Sequence, residues 1–215
     1  MVKKIIFDLD DTIMLFDDKI YESIVKTFDT YKLIYNDDLV NSFKEAIMTY
    51  EKEYSMYDRK SFINHLRKYL GFRVTIPFIN VWLYFLGQTN PFDMEYNEEV
   101  KDTLSYLKEK YELTVLTNFF SYSQIERLKK AGLYHYFSEV IGTDIVLNKP
   151  NKEAYIRAIG DSKIEDCVMI GDSITRDING AANIGMDTIL CDHYDKHKTY
   201  TKKRIVKFNE LKEML

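Results

Sequence analysis

Short β-rich runs and amphipathic helical stretches alternate through most of this chain. Apolar residues at helical spacing occupy Glu98 to Tyr111, Ser123 to Ala131 and Lys152 to Ile159. Strands that alternate with helices predict an α/β fold built around a parallel sheet with right-handed crossovers. The β-rich runs are Lys3 to Phe7, Leu113 to Leu116, Glu139 to Ile141, Val168 to Ile170 and Thr188 to Cys191.

One segment, from Asp17 to Gly87, interrupts this alternation. It carries helical patterns with no β-rich run between them, and Pro91 beside Asn90 indicates a return hinge. We therefore expect residues 17–87 to form a helical insert in a main domain made of residues 1–16 and 88–215. The apolar stripes of this insert are Ile24, Phe28 and Tyr31, and then Leu39, Phe43, Ile47 and Tyr50.

The composition is that of a globular protein. Hydrophobic residues make up 46% and aromatic residues 14%, more than chains that cannot pack a core. A net charge of −4 and a pI of about 5.7 give no general attraction to nucleic acids or to anionic membranes, so we expect neither as a partner. The sequence also lacks an apolar run of the roughly 20 residues that span a bilayer.

The two cysteines, Cys167 and Cys191, lie within β-rich runs, which suits buried hydrophobic side chains better than a disulfide framework. Lys3 and Lys4 precede an apolar run that ends at once in Asp8, so an export signal is not indicated. We expect a cytoplasmic protein that is a monomer or a small homo-oligomer.

Three carboxylates follow the first β-rich run, in the segment Asp8-Leu9-Asp10-Asp11-Thr12. Ligand sites of α/β folds lie at the carboxyl ends of strands. Clustered carboxylates repel one another unless they share a cation or point into solvent, and oxygen ligands suit Mg²⁺. A solvated acidic turn is the alternative interpretation of this segment.

A second pair of carboxylates, Asp172 and Asp177, follows the run from Val168 to Ile170. If both strands are parallel, their carboxyl ends bring Asp172 close to Asp8 and Asp10. Two independent acidic turns then become the weaker interpretation.

Two further segments add groups that suit phosphate. Thr117 and Asn118 follow the run that ends at Leu116, where a hydroxyl and backbone N–H groups can hold a phosphoryl oxygen. Lys149 precedes a predicted helix and supplies a cation. Alone, such a lysine is usually a solvated surface residue. Only its combination with the other groups indicates a site.

Taken in order, these residues resemble the four motifs of the haloacid dehalogenase-like hydrolases. The pattern D-x-D-x-T, a threonine after the second strand, a lysine, and G-D-S-x-x-x-D extends over nearly the whole chain. The resemblance implies a Rossmann-like parallel sheet with helices on both faces and an α-helical cap of the C1 type inserted after the first motif. The motif residues are Asp8, Asp10 and Thr12, then Thr117, Lys149, Asp172 and Asp177.

The same resemblance implies a Mg²⁺-dependent phosphatase. Asp8 is expected to attack phosphorus and become transiently phosphorylated, and Asp10 to act as general acid and base. The metal is expected to bind the Asp8 side chain, the Asp10 backbone carbonyl and Asp172. The family's dehalogenases lack an acid–base aspartate at the position of Asp10, so phosphoester chemistry is favoured.

The remaining roles follow in the same way from the resemblance. Thr117, the N–H of Asn118 and Lys149 are expected to bind the phosphate. Asp177 is expected to orient Lys149 or a metal-bound water. Asp11 is assigned no chemistry, because the family has either glycine or aspartate there.

The substrate is expected to be a small phosphorylated metabolite. The form of the first motif and the helical cap look most like the branch of pyrimidine 5′-nucleotidases, with phosphoglycolate and sugar-phosphate phosphatases as close rivals. A binding or regulatory protein that keeps the fold without turnover is the alternative from another class.

Aromatic residues of the insert have two interpretations. They supply either a platform that stacks on a flat substrate or the core of the insert itself, and the core is favoured because a small helical unit must bury one face. Trp82 and Tyr84 are the first candidates for cap residues that face the active site. The full set is Phe62, Tyr69, Phe72, Phe78, Trp82, Tyr84 and Phe85.

Overall fold

The computed structural model of this chain describes residues 2–14, 19–88 and 94–215, and within these residues six parallel strands form one sheet. Each predicted strand is present with bounds that shift by at most one residue. The sixth strand was not predicted and is two residues long. The strands are β1 (Lys4–Phe7), β2 (Glu112–Leu116), β3 (Glu139–Ile141), β4 (Cys167–Gly171), β5 (Asp187–Cys191) and β6 (Arg204–Ile205).

Strand β1 lies in the middle of the sheet, whose order is β3-β2-β1-β4-β5-β6. Phe7 is in register with Val115 of β2 on one side and with Ile170 of β4 on the other. The chain that follows β1 therefore meets the ends of β2 and β4, which is the switch point where α/β sheets form ligand sites.

Helices cover both faces of the sheet, as predicted. Ile5 and Phe7 pack on one face with Leu104, whereas Ile6 packs on the other face with Tyr155. This alternation follows from the two-residue period of a strand, and it explains why the central strands are apolar throughout. The helices of this domain are α5 (Met94–Lys108), α6 (Ser121–Lys130), α7 (Lys152–Ile159), α8 (Gly180–Ala182) and α9 (Leu211–Met214), numbered after the four that precede them in the chain.

The four preceding helices form the insert: α1 (Lys19–Thr30), α2 (Asp37–Glu53), α3 (Arg59–Leu70) and α4 (Ile76–Gln88). The Asn36 side chain caps α2 by accepting from the N–H of Leu39 at 3.1 Å, and Gly71 ends α3 in the left-handed conformation. In the first predicted apolar stripe, Ile24 and Phe28 are buried as expected, whereas Tyr31 is partly exposed. The predicted boundary at Asp17 and the hinge at Asn90 and Pro91 lie outside the described residues.

The insert has its own hydrophobic core, which continues into the main domain through Phe120, the residue before α6. The ring centroid of Phe120 lies 5.1 Å from that of Tyr57. The N–H of Tyr57 donates to the carbonyl of Thr143 at 3.0 Å, and the N–H of Asn148 donates to that of Ser55 at 2.7 Å. The loop between α2 and α3 is thus bound to the loop after β3, which places the end of α2 over the switch point.

The helices of the described residues include none long and apolar enough to cross a bilayer.

Candidate active site

Three sequence-predicted residues meet at the carboxyl edge of the sheet because each directly follows a central strand. The N–H of Asp8 continues the ladder of β1 by donating to the carbonyl of Ile170 at 2.8 Å. The N–H of Thr117 likewise donates to Ile141 at 2.9 Å, beyond the end of β2. Asp172 follows β4 directly. Backbone hydrogen bonds therefore fix the positions of Asp8 and Thr117.

A tight turn follows Asp8 and contains the other residues of the first motif. Asp11 adopts a φ of 56°, a left-handed conformation that aspartate tolerates better than most residues, and its N–H donates to Met14 at 2.6 Å. Thr12 is fully buried, and its carbonyl lies 2.8 Å from Nε2 of His193. The turn holds the Asp10 side chain against helix α6.

Lys149 forms the centre of a buried charged cluster. Its Nζ donates to Asp8 Oδ1 at 2.5 Å and to Asp177 Oδ1 at 2.6 Å. Burial alone would lower the pKa of Lys149, but the carboxylates of Asp177 and Asp8 outweigh this effect and raise it. The lysine is therefore a permanent cation beside Asp8, and not the solvated surface residue of the alternative interpretation.

Gly171 makes room for Asp177. A Cβ at this position would overlap the carboxyl group of Asp177, which also accepts from the N–H of Ser173 at 2.9 Å. Burial raises the pKa of Asp177 and the neighbouring cation Lys149 opposes this shift. A glycine therefore precedes Asp172 in the fourth motif because any side chain there would collide with Asp177.

Asp8, Asp172 and Asp177 each offer one carboxylate oxygen, and these three oxygens lie within 4.8 Å of one another. Burial and the charges of Asp8 and Asp177 raise the pKa of Asp172 to about 8. A divalent cation among these oxygens would relieve the repulsion, and an all-oxygen donor set fits Mg²⁺. The Asp10 side chain is not one of the three, and the resemblance had assigned only its backbone carbonyl to the metal.

The Asp10 carboxylate is bound by α6 instead. Arg127 Nη1 lies 2.6 Å from Asp10 Oδ1, and Gln124 Nε2 donates to Asp10 Oδ2 at 2.8 Å. Burial raises the pKa of Asp10, while the charge of Arg127 opposes the shift. Gln124 Nε2 also donates to Thr117 Oγ1 at 3.0 Å, so one glutamine joins two motif residues.

Asn118 connects the second motif to the third and to the insert. Its Oδ1 accepts from the Lys149 N–H at 2.7 Å, and its Nδ2 donates to the Lys149 carbonyl at 2.9 Å. The same Nδ2 donates to Glu51 Oε1 of helix α2 at 2.8 Å. Arg176 Nη1 donates to this Glu51 oxygen at 2.7 Å. The backbone of Lys149 is thereby held in a fixed position.

These residues surround a cavity of about 190 Å³ between the sheet edge and the insert. Most of the charged groups come from the sheet edge, and the insert covers them with mostly apolar side chains. The cavity is lined by Asp8, Asp10, Asp11, Thr117, Asn118, Phe119, Arg127, Lys149, Asp172 and Arg176 of the main domain and by Ile20, Ile47, Met48, Glu51, Tyr57 and Leu86 of the insert.

The choice of Trp82 and Tyr84 as residues that face the site is wrong. Trp82 is fully buried in the insert, where its Nε1 donates to Ser23 Oγ at 3.1 Å, and Tyr84 is 53% exposed. Neither is among the described residues that line the cavity. The preference for an insert core is confirmed for Trp82, Phe62 and Phe78, which belong to its hydrophobic cluster.

The sequence analysis missed several residues that contact the motifs, among them Glu51, Gln124, Arg127 and Arg176. Gln124 and Arg127 are three residues apart and lie with Leu128 on the apolar face of a predicted helix. Polar residues on a face that is expected to be buried could have indicated a buried polar contact. Arg176 lies inside the fourth motif. Glu51 carries no local signal, because its partners Asn118 and Arg176 come from distant segments.

Several curated proteins are related to this chain, and two of them share a well-matched part of it. The glyceraldehyde 3-phosphate phosphatase of Methanothermobacter thermautotrophicus is 41% identical over 93 residues, which are 41% of each protein. The pyrimidine 5′-nucleotidase PynA of Streptococcus pneumoniae is 37% identical over 100 residues, which are 43% of this chain and 42% of that enzyme. The chain thus spans about two fifths of the length of these relatives.

The fold is shared with solved structures over its full length. The HAD-hydrolase YfnB from Bacillus subtilis, in a crystal form bound to magnesium, superposes with a TM-score of 0.79 at 24% identity. The superposition covers 100% of this chain and 98% of that one. The family model for hydrolases of the haloacid dehalogenase-like type matches residues 2–185, which include all four motifs. With this match over most of its length, the chain belongs to the haloacid dehalogenase-like hydrolases.

Proposed function

We propose that this protein is a Mg²⁺-dependent phosphatase that hydrolyses small phosphomonoesters through an aspartyl-phosphate on Asp8. The observation that carries the proposal is the cluster of Asp8, Lys149, Asp172 and Asp177 at the base of a covered cavity. A carboxylate nucleophile needs a cation beside it to approach an anionic phosphate, and this cluster supplies both.

The chemistry takes two steps. Asp8 attacks phosphorus, the ester P–O bond breaks, and the leaving oxygen takes a proton from Asp10. Asp10 then removes a proton from water, which attacks the aspartyl-phosphate and releases inorganic phosphate. Asp8, Asp172 and the Asp10 carbonyl would hold Mg²⁺, whose charge would reduce the repulsion between the carboxylate and the phosphate.

The surrounding residues stabilise the phosphoryl group. Lys149 lies against Asp8 with its charge fixed, so it needs no reorganisation when charge develops on the phosphoryl oxygens. Thr117 and the backbone N–H of Asn118 hold the other oxygens. Asp177 keeps Lys149 in place through its own ion pair.

The substrate class is supported by the cavity and by the relatives. A volume of about 190 Å³ is below the usual range of roughly 300–1,000 Å³ for drug-sized ligands, which favours a small leaving group. Two of the curated relatives are a glyceraldehyde 3-phosphate phosphatase and a pyrimidine 5′-nucleotidase. We propose nucleoside 5′-monophosphates and sugar phosphates as the classes to test first, with phosphoglycolate as the rival. The small cavity favours sugar phosphates and phosphoglycolate, whereas nucleotides are supported by the nucleotidase relative.

A screen of phosphorylated metabolites tests the proposal. Phosphate release from nucleoside monophosphates, sugar phosphates and phosphoglycolate is measured with Mg²⁺ and after exhaustive chelation by EDTA. We expect release from at least one class, and only with the metal. A folded protein that binds a member of the panel without releasing phosphate would instead support the non-catalytic binding protein.

A further inference from the structure

Two residues of helix α6 hold the Asp10 carboxylate, and the mechanism above gives neither of them a role. Arg127 Nη1 lies 2.6 Å from Asp10 Oδ1, and Gln124 Nε2 lies 2.8 Å from Asp10 Oδ2. Arg127 is 1% exposed and Gln124 is fully buried. Arginine is rarely buried without a charged partner, so we infer that the ion pair with Asp10 is a specific part of the site.

The two residues also fix each other. Gln124 Oε1 accepts from Arg127 Nη1 at 2.7 Å, the same nitrogen that contacts Asp10. Its Nε2 donates both to Asp10 and to Thr117 Oγ1. Rotating the amide by half a turn would direct its NH₂ group at the guanidinium and its oxygen at the carboxylate. Only one amide orientation therefore satisfies all partners.

The position of this network points to catalysis more than to folding alone. Arg127 and Asp10 both line the cavity over Asp8, so the network reaches the reaction space itself. Gln124 donates a hydrogen bond to one Asp10 oxygen and the Arg127 guanidinium lies in ion-pair contact with the other, so α6 contacts both oxygens and restricts rotation of the carboxyl group. A proton donor displaced by about 1 Å can cost on the order of 10²-fold in rate.

We propose that Arg127 and Gln124 are positioning residues that orient the Asp10 carboxyl group toward the leaving oxygen. This inference rests on the proposed phosphatase function. It gives α6 a role in proton transfer to the leaving oxygen, a step for which the four motifs supply only Asp10. The residues act through Asp10, so their removal affects the step in which the leaving group takes up a proton.

Leaving-group dependence tests this role. An alkyl phosphate needs protonation of its leaving oxygen, whereas p-nitrophenyl phosphate needs little, and kcat/KM reports the step in which either group departs. Asp10→Asn should lower kcat/KM far more for the alkyl ester. Arg127→Met and Gln124→Met should follow the same pattern, with a loss of about 10- to 100-fold for the alkyl ester and under about tenfold for the aryl ester.

A double variant separates positioning from general damage. Asp10→Asn combined with Arg127→Met should lose no more activity than Asp10→Asn alone, because Arg127 acts through the group that is already removed. Arg127→Lys, which keeps the charge, should recover part of the loss for the alkyl ester. Glu126→Gln, on the same helix and ion-paired with Lys129, should leave the hydrolysis of both esters unchanged.

Other results would overturn the inference. Equal losses for both esters, or an additive loss in the double variant, would assign Arg127 a purely structural role. A raised KM with unchanged kcat for both esters would make it a phosphate ligand. If neither Arg127 variant folds, as judged by circular dichroism, Gln124→Met decides alone. Full activity of Asp8→Asn would contradict the phosphatase mechanism itself, which is a separate failure.

Discussion

The carboxylate of Glu51 lies 2.7 Å from the guanidinium of Arg176, on the rim of the cavity that covers Asp8. Glu51 belongs to the insert, and Arg176 belongs to a π-helical turn after β4. The same carboxylate oxygen accepts from Asn118, so one insert residue connects the loops after β2 and β4. We infer that this contact keeps the insert closed over the site.

Removal of this contact should reduce activity more than stability. The side chains of Glu51 and Arg176 are 24% and 44% exposed, and such an ion pair contributes roughly 0–1 kcal/mol to folding. Glu51→Ala should therefore lower kcat/KM by about tenfold while the free energy of unfolding changes by less than about 1 kcal/mol. The control is Glu45→Ala, an exposed residue on the same helix. Unchanged kcat/KM in Glu51→Ala would contradict the closing role.

Asp8→Asn should abolish phosphatase activity and leave the fold intact. An amide is nearly the same size as the carboxylate but is a poor nucleophile, so we expect a loss of at least about 10³-fold in kcat. Asp11→Asn is the matched control, because asparagine also tolerates the left-handed backbone of this turn. We expect it to retain activity within about tenfold. Thermal melting of both variants checks the fold.

The metal-free protein should lose stability as the pH rises. The pKa of Asp172, about 8 in the folded protein, lies above the ordinary value of 3.8. The folded state therefore binds more protons than the unfolded state between these values, and the free energy of unfolding falls with rising pH. We expect the melting temperature to fall from about pH 5 to about pH 8.

Two comparisons isolate the contribution of Asp172. Asp172→Asn should show a flatter pH dependence, since the titrating group is gone. Saturating Mg²⁺ should flatten the profile of the wild type, because the metal stabilises the ionised carboxylate. A melting temperature that varies with pH identically in the wild type and in Asp172→Asn would contradict the shifted pKa.

Selectivity among substrates should depend on the insert residues that line the cavity. Met48 lines it and is 63% exposed, so Met48→Ala removes cavity surface with little effect on folding. We expect it to change the ratio of kcat/KM between a nucleotide and a sugar phosphate by about threefold to tenfold. Tyr84→Ala, from an exposed position outside the cavity lining, should leave the ratio unchanged. The same shift in both variants would contradict a local effect.

The fold and the motif residues could be predicted because their signals are local. Asp8, Thr117 and Asp172 each follow an apolar strand directly in sequence, and parallel strands bring their carboxyl ends to one edge. The strand β6 could not be predicted, since two residues carry no periodic pattern.

The partners of the motifs depend on tertiary packing and were missed for that reason. Gln124 is separated from Asp10 by 114 positions, and Asn118 is separated from Glu51 by 67. The orientation of α4 was equally inaccessible, since apolar residues such as Val81, Trp82 and Leu83 are consecutive and so point in different directions around the helix. Packing against Phe43 and Phe62 buries Trp82, whereas Leu86 reaches the cavity.

Detection of the covalent intermediate on Asp8 tests the proposed phosphatase mechanism directly. Protein quenched in acid during turnover, with Mg²⁺ and a substrate from the panel, is measured by intact mass and by peptide mapping. We predict a species heavier by one phosphoryl group, located on the peptide that contains Asp8 in the wild type and absent from Asp8→Asn. Phosphorylation of another residue, or turnover by Asp8→Asn at the wild-type rate, would contradict Asp8 as the nucleophile.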